Sequence, residues 1–255
     1  MSGLPVPGWV IERRGVVTST MDVAAELATA GARDRTAVVA DEQTAGRGRA
    51  GRTWLAATGT ALLVTAIFRP ASPATHVGVV SIAAGLAVAD AIHDVSGLQV
   101  WLKWPNDLWI GTRESGAKVA GILVQNRIAG DRVDVALVGT GVNLGPDGVA
   151  DVAGATTLRE HGVEVPRDTL LRAVLLRLDE RFSSLAVDRW RISPGEWESR
   201  AALIGCEVEV ADGDRICHGA LLGIQDDGAL LLRDAQGYVV PITVGDVTRG
   251  PRRRS

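Results

Sequence analysis

Apolar positions recur along this chain with two periods, one helical and one strand-like. Leu171, Val174, Leu175, Leu178, Phe182 and Leu185 share one face of a helix opened by Pro166 and Asp168. Val79, Ile82, Ala83, Leu86, Ala89 and Ile92 repeat at the same spacing and predict a helix over 79–92. Before the run from Val23 to Ala28, Ser19-Thr20-Met21-Asp22 reads as a helix start, with Ser19 or Thr20 as N-cap and Asp22 where a capping-box acid belongs. Apolar and β-branched runs over 36–40, 60–68, 98–103, 118–125 and 133–138 predict strands. Strands and helices do not alternate strictly, so the fold class is α+β rather than a doubly wound parallel sheet. From Gly205 the character changes. Glu207-Val208-Glu209-Val210 alternates, and Asp212-Gly213, Asp227-Gly228 and Gln236-Gly237 punctuate short strands, which predicts a small all-β barrel. A boundary near Ile204 divides the chain into domains 1–204 and 205–255.

Composition narrows the class. The 255 residues are 46% hydrophobic and 22% charged, the balance of a globular protein, and the net charge of -3 gives no field for wrapping a polyanion. Two cysteines, Cys206 and Cys217, supply neither a disulfide framework nor a zinc ribbon, and a reducing, cytoplasmic compartment is expected. The start of the chain has no signal-peptide core. The uncharged stretch over 70–89 is broken by Pro70, Ser72, Pro73, Thr75 and His76, so it suits a buried helix and no membrane span is expected. Arg252, Arg253 and Arg254 read as a solvated tail.

Of 27 basic residues only Lys103 and Lys118 are lysine. A chain that drifts this far toward arginine keeps lysine where a compact ammonium is needed and a planar guanidinium does not serve. Asparagine is also rare, and Asn106 and Asn143 fall close by in sequence. Four segments around these residues carry candidate chemistry. Gly46, Gly48 and Gly51 satisfy G-x-G-x-x-G, but a strand follows where a dinucleotide fold needs a helix, and no acid stands about twenty residues on. No Gly-Lys-Ser or Gly-Lys-Thr exists for a Walker loop. Gly46-Arg47-Gly48-Arg49-Ala50-Gly51-Arg52-Thr53-Trp54 remains as a flexible loop with three cations, suited to a polyphosphate or acyl phosphate, or to a basic surface loop touching RNA. Lys103-Trp104-Pro105-Asn106-Asp107 ends a strand, with oxygen ligands for Mg²⁺ or for an amine, or else forms an ordinary Asx-turn. Lys118-Val119-Ala120-Gly121-Ile122-Leu123 carries a lysine into an apolar strand. Gly139-Thr140-Gly141-Val142-Asn143 is a glycine-rich strand end or a bulge.

In this order the four segments resemble biotin protein ligase. Its adenylate-binding loop matches from Gly46 to Trp54, its Lys-Trp-Pro-Asn-Asp motif from Lys103 to Asp107, its Lys-x-x-Gly-Ile-Leu strand from Lys118 to Leu123, and its Gly-x-Gly-x-Asn element from Gly139 to Asn143. The resemblance implies a mixed-sheet catalytic domain akin to class II aminoacyl-tRNA synthetases, followed by a Src-homology-3-like barrel. It implies biotin and ATP with Mg²⁺ as reactants, biotinyl-5′-adenylate as intermediate, and a lysine of a biotin carboxyl carrier protein as acceptor. Two departures stand out. Met21 replaces the asparagine usual in the family's Ser-Thr-Asn motif. Only 18 residues precede Ser19, too few for a winged helix-turn-helix, so sequence-specific DNA binding is not expected.

The roles implied are specific. Ser19, Thr20 and Gln43 hold the ureido head, while Arg47, Gly48, Arg49, Trp54, Lys118 and Gly121 complete the biotin site. Arg47, Arg49, Arg52, Trp54, Lys103, Asn106 and Asn143 serve the nucleotide, and Asn106 helps to hold Mg²⁺. Lys118, Arg49 and Asp107 are the catalytic candidates: Lys118 bridges the biotin carboxylate and α-phosphate, and Asp107 orients or deprotonates the incoming amine. A lipoate or octanoate ligase of the same fold is the alternative within the class, and a nucleic-acid-binding module the alternative outside it.

Overall fold

The computed structural model describes residues 5–145, 149 and 152–249; the arginine tail at 252–254 lies outside the described residues. The first sheet is assembled from β1 (Val10–Val17), β2 (Thr36–Gln43), β3 (Ala61–Phe68), β4 (Ser72–Pro73), β5 (Trp101–Lys103), β6 (Asp107–Gly111), β7 (Gly116–Ala129) and β8 (Arg132–Asn143). Its order is β1-β2-β3-β8-β7-β6-β5, with β4 paired to β8; β1 and β2 run parallel and the other pairs antiparallel, so the sheet is mixed.

Helices α1 (Thr20–Thr29), α2 (Val77–Ser96), α3 (Arg167–Val187) and α4 (Pro194–Arg200) complete this part. Apolar length in α2 reflects packing: the helix lies within the main core, with Ala84, Leu86, Val88 and Ile92 fully buried. The face predicted for α3, Leu171 to Leu185, is buried as spaced. Phe182 stacks on Phe68 at 4.0 Å between centroids and meets Trp190 edge-on at 6.3 Å, which ties α3 to β3. On the opposite face, α1 covers a smaller cluster of Met21, Ala24, Ala28, Val38, Ile67, Val135 and Leu137. A second, antiparallel sheet follows, built from β9 (Glu207–Asp212), β10 (Arg215–Ile224), β11 (Leu230–Arg233), β12 (Val239–Ile242) and β13 (Asp246–Arg249) in the order β12-β11-β10-β9-β13. Gly213, Gly228 and Gly237 take positive φ, the turn role their dipeptides predict.

Several expectations need correction. The strand expected over 98–103 is confined to β5, because the chain first turns through Gly97 at φ +71 after α2. Gly139 to Asn143 is the glycine-rich end of β8, as expected, and not a bulge: the strand keeps unbroken register there with β3 and β7. Strand β1 escaped the pattern because its Arg13, Arg14 and Gly15 interrupt any alternation. Ser19 is the N-cap, accepting from the Met21 N–H at 3.2 Å, but Asp22 does not close a capping box: its carboxylate turns outward to Arg47 at 2.6 Å.

The aromatic stack gives the first testable expectation. Phe182→Ala removes a buried ring from between Phe68 and Trp190 and is expected to cost about 3–5 kcal/mol. Urea unfolding measures it; a loss below about 1 kcal/mol would show the stack to be incidental.

Candidate functional site

A cleft of about 520 Å³ opens over the α1 face of the first sheet, lined from α1, β2, β3, β5, β6, β7, β8, the loop before β3 and the segment 152–155. Its floor is set by glycine. A Cβ on Gly141 would lie 2.6 Å from the Trp54 indole and one on Gly121 would lie 3.0 Å from it, so the ring packs against strand backbone as no other residue type would allow. At the neighbouring Gly139 the space of a Cβ is taken by the Met21 methyl, 2.8 Å away. Met21 is therefore a buried apolar wall of the cleft and anchors α1 on the sheet.

The polar end next to α1 is closed on itself. Gln43 Oε1 accepts from the Thr20 N–H at 2.8 Å, the Thr20 hydroxyl at 3.0 Å and the Ser19 hydroxyl at 3.4 Å. Accepting from a backbone N–H identifies that atom as the oxygen, so the amide's N–H donors are on the other side, beside Gly46. With its proton on Gln43, the Thr20 hydroxyl accepts from Thr65 at 2.8 Å. Thr65 was missed from sequence, although it is the one polar residue in the apolar run of β3.

In the middle of the cleft Lys118 Nζ stands 2.6 Å from Asp107 Oδ1 and 5.5 Å from the Trp54 ring centroid. Its backbone is fixed on both sides, donating to Gly154 at 2.7 Å and accepting from the Thr156 N–H at 2.9 Å. Asn143, 4% exposed, directs Nδ2 at the Thr156 carbonyl at 3.0 Å and at the Lys118 carbonyl at 3.4 Å, so it braces the wall that carries Lys118. Asp107 is shared with Lys103, whose Nζ lies 3.8 Å from Oδ2. Burial pushes the Lys103 ammonium below the ordinary lysine range, against the opposing pull of Asp107 and Asp246. Asn106 laces the motif to β7: Nδ2 donates to the Ile122 carbonyl at 2.8 Å and the Ile122 N–H returns a bond to the Asn106 carbonyl at 2.9 Å.

The arginine loop is a small hairpin, closed by Gly48 N–H to Arg52 carbonyl at 2.7 Å and by Trp54 N–H to Gly46 carbonyl at 3.0 Å. Each of its arginines has a carboxylate. Arg47 meets Asp22 of α1, whereas Arg49 and Arg52 meet Asp246 of the second sheet at 3.1 and 2.7 Å. Sequence reasoning had no signal for Asp246, which lies 194 residues from Arg52. All the residues singled out from sequence thus line one cleft, Ser19, Thr20 and Gln43 at the α1 side, and Arg49, Arg52, Lys103 and Asn106 toward the second sheet. Such a place suits a ligand with a compact polar head, an apolar body and an anionic end.

The glycine floor makes an expectation of its own. Gly141→Ala is expected to leave the fold intact by circular dichroism but to lift Trp54 off the sheet. Acrylamide quenching of a variant pair with and without Trp54 reads this directly, and an unchanged Trp54 contribution would disprove the packing argument.

Comparison with known proteins follows the same lines. Residues 15–143 match the model of the biotin/lipoate A/B protein ligase family, and residues 203–250 match that of the biotin protein ligase C-terminal domain. The chain is 36% identical over 215 residues to the biotin–acetyl-CoA-carboxylase ligase of Paracoccus denitrificans, covering 80% of this chain and 87% of that one. It is 33% identical over 228 residues to the bifunctional ligase/repressor BirA of Bacillus spizizenii, covering 87% of this chain and 69% of the relative. The biotin protein ligase from Aquifex aeolicus, solved in complex with biotin and ATP, is similar with a TM-score of 0.79 at 27% identity, covering 94% of this chain and 99% of that one.

Proposed function

The chain belongs to the biotin/lipoate A/B protein ligase family, and from that membership we propose that it activates biotin with ATP and transfers the biotinyl group to a lysine of a biotin carboxyl carrier protein. The observation that carries the reading is the Lys118–Asp107 pair at 2.6 Å, set between a glycine-floored apolar channel and a cluster of arginines. That is the order of groups along biotin followed by a nucleotide.

The ureido head fits the α1 end. Its carbonyl takes the free N–H donors of Gln43, and its two N–H groups take the lone pairs that Ser19 and Thr20 keep after their internal bonds. A site built from such paired donors and acceptors rejects a plain fatty acid by leaving them unpaired. The match to a biotin protein ligase C-terminal domain also favours biotin over lipoate or octanoate. Trp54, Gly121 and Gly48 wall the bicyclic body, and Arg47 stands at the rim.

In the first step the biotin carboxylate attacks the α-phosphorus of ATP, giving biotinyl-5′-adenylate and releasing pyrophosphate. Both reactants are anions, so fixed cations are the main resource. Lys118 bridges the carboxylate and α-phosphate; Arg49, Arg52 and Lys103 face the departing phosphates, with Asn143 bracing the wall behind. In the second step the acceptor amine attacks the acyl carbon and AMP leaves, with Asp107 orienting that amine or taking its proton. Mg²⁺ enters as part of the substrate MgATP. Among the described residues no group of three His, Cys, Asp or Glu is placed to hold a metal, Asp107 and Asp246 are already paired with cations, and Asn106 Oδ1 faces Arg49 at 3.4 Å. Asn106 thus offers one oxygen at most. We place the reaction in the cytoplasm, where two free cysteines are at home, with a folded carrier domain as the partner.

Pyrophosphate release that depends on both biotin and ATP tests the function; its absence would overturn the reading. Lys118→Arg tests the site. The ammonium is already crowded, since a Cβ on Gly121 would lie 3.1 Å from Lys118 Cε and Nζ, and a planar guanidinium does not fit there. Adenylation is expected to fall on the order of 10²-fold, while biotin binding without ATP, measured by calorimetry, weakens far less. Adenylation within about threefold of wild type would remove Lys118 from the role.

A further inference from the structure

We infer that Asp246, on the second sheet, is a positioning residue for the nucleotide step, holding Arg49 and Arg52 by one edge so that their other edges face the phosphates. The inference rests on the ligase reading above and extends it to a residue outside the first sheet.

Asp246 divides its carboxylate between the two arginines: Oδ1 accepts from Arg49 Nη1 at 3.1 Å and Oδ2 from Arg52 Nη2 at 2.7 Å. The Gly245 carbonyl also accepts from Arg49 Nη1, at 3.3 Å, and Asn106 Oδ1 does so at 3.4 Å. All of these bonds engage Nη1 of Arg49, which leaves Nε and Nη2 for a ligand; Arg52 spends Nε on the Arg49 carbonyl and Nη2 on Asp246, leaving Nη1. A guanidinium gripped along one edge still presents the other for forked bonds to phosphate. Asp246 therefore orders the cations without using up their donors.

The carboxylate is itself rigidly placed. Gly245 enters β13 at φ +144, and a Cβ there would lie 2.6 Å from Val210 Cγ1 and 3.0 Å from the Ala211 carbonyl, so the bend is pressed onto β9. Asp246 then pairs in register with Ala211. On the loop side, Ala50 and Gly51 lie at φ +52 and +72, in the left-handed region, between the two arginines that Asp246 holds. Lys103 also feels the Asp246 charge. Asp246 and Asp107 are two carboxylates among four cations, Arg49, Arg52, Lys103 and Lys118, so the pocket stays positive and Asp246 positions its arginines without neutralising them. Ion pairs this exposed contribute little to global stability, which separates the role from a structural one.

The test uses the full chain with Asp246→Asn and Asp246→Glu. Without ligands, tryptic cleavage after Arg49 and Arg52 is expected to quicken roughly fivefold in Asp246→Asn as the loop loosens. In pyrophosphate release, KM for ATP is expected to rise about tenfold, since the competent loop arrangement is then a minor population, while KM for biotin and the melting temperature stay unchanged. Asp246→Glu is expected to recover most of both effects. Unchanged cleavage, or an ATP KM that stays level or falls, would overturn the inference, as would a parallel rise in both KM values with a lower melting temperature. If the wild-type chain releases no pyrophosphate, the ligase reading fails, and the cleavage comparison still judges the tether.

Discussion

The cleft exists because three positions on the central strands have no side chain. Every other residue type would raise the floor of β7 and β8 by a layer of atoms, yet at Gly121 and Gly141 the indole of Trp54 rests directly against the backbone, and at Gly139 the Met21 methyl does. Trp54 ends the arginine loop, so its seat on the sheet decides where Arg47, Arg49 and Arg52 stand. Met21 lies just after the N-cap of α1, and its seat decides where Ser19 and Thr20 meet Gln43. Two unrelated segments are thus brought to one face by the same absence of Cβ atoms, which is a stronger constraint than any single hydrogen bond they make.

Charge then acts on that geometry. Arg47, Arg49, Arg52, Lys103 and Lys118 converge on the cleft against Asp22, Asp107 and Asp246, and two of these carboxylates are each shared by two cations. The surplus is positive in a chain whose formal net charge is -3. Exposed pairs of this kind add little to stability, but a low-dielectric cleft focuses the field they leave behind and favours an anion with several charges. Asp107 has a different standing. It is 16% exposed and lies between two ammonium groups, so it holds their spacing even before substrate arrives.

What the sequence made legible follows from the range of each interaction. Helix α3 was visible because burial on one face repeats with the helical period, and the strands β2, β3 and β7 because burial on both faces leaves continuous apolar, β-branched runs. The cleft residues Lys103, Asn106 and Lys118 were visible because rare residue types cluster within a short span, and Asp107 because it follows Asn106 directly. Strand β1 was not, since two arginines and a glycine break its pattern while parallel pairing with β2 supplies what that pattern lacks. Thr65 was overlooked because a lone threonine is common in strands, and only its contact with Thr20 gives it meaning. Asp22 was assigned to a capping box on local spacing, but a tertiary partner, Arg47, won the carboxylate. Asp246 had no local signal at all.

The second sheet is joined to this chemistry from two sides. From behind, the Trp104 indole N–H, buried, donates to the Gly228 carbonyl at 3.2 Å, so the turn between β10 and β11 braces the segment that carries Lys103, Asn106 and Asp107. Gly78, at the start of α2, packs so close to the same turn that a Cβ would lie 3.0 Å from the Asp227 carbonyl. From the front, Asp246 holds the arginine loop. The two contacts clamp the arginine-bearing half of the cleft, whereas the Ser19, Thr20 and Gln43 end is built wholly within the first sheet and α1. Displacing the second sheet would therefore disturb the arginine end of the cleft before the Ser19–Thr20–Gln43 end, so the two ends of one continuous cleft depend on different parts of the fold.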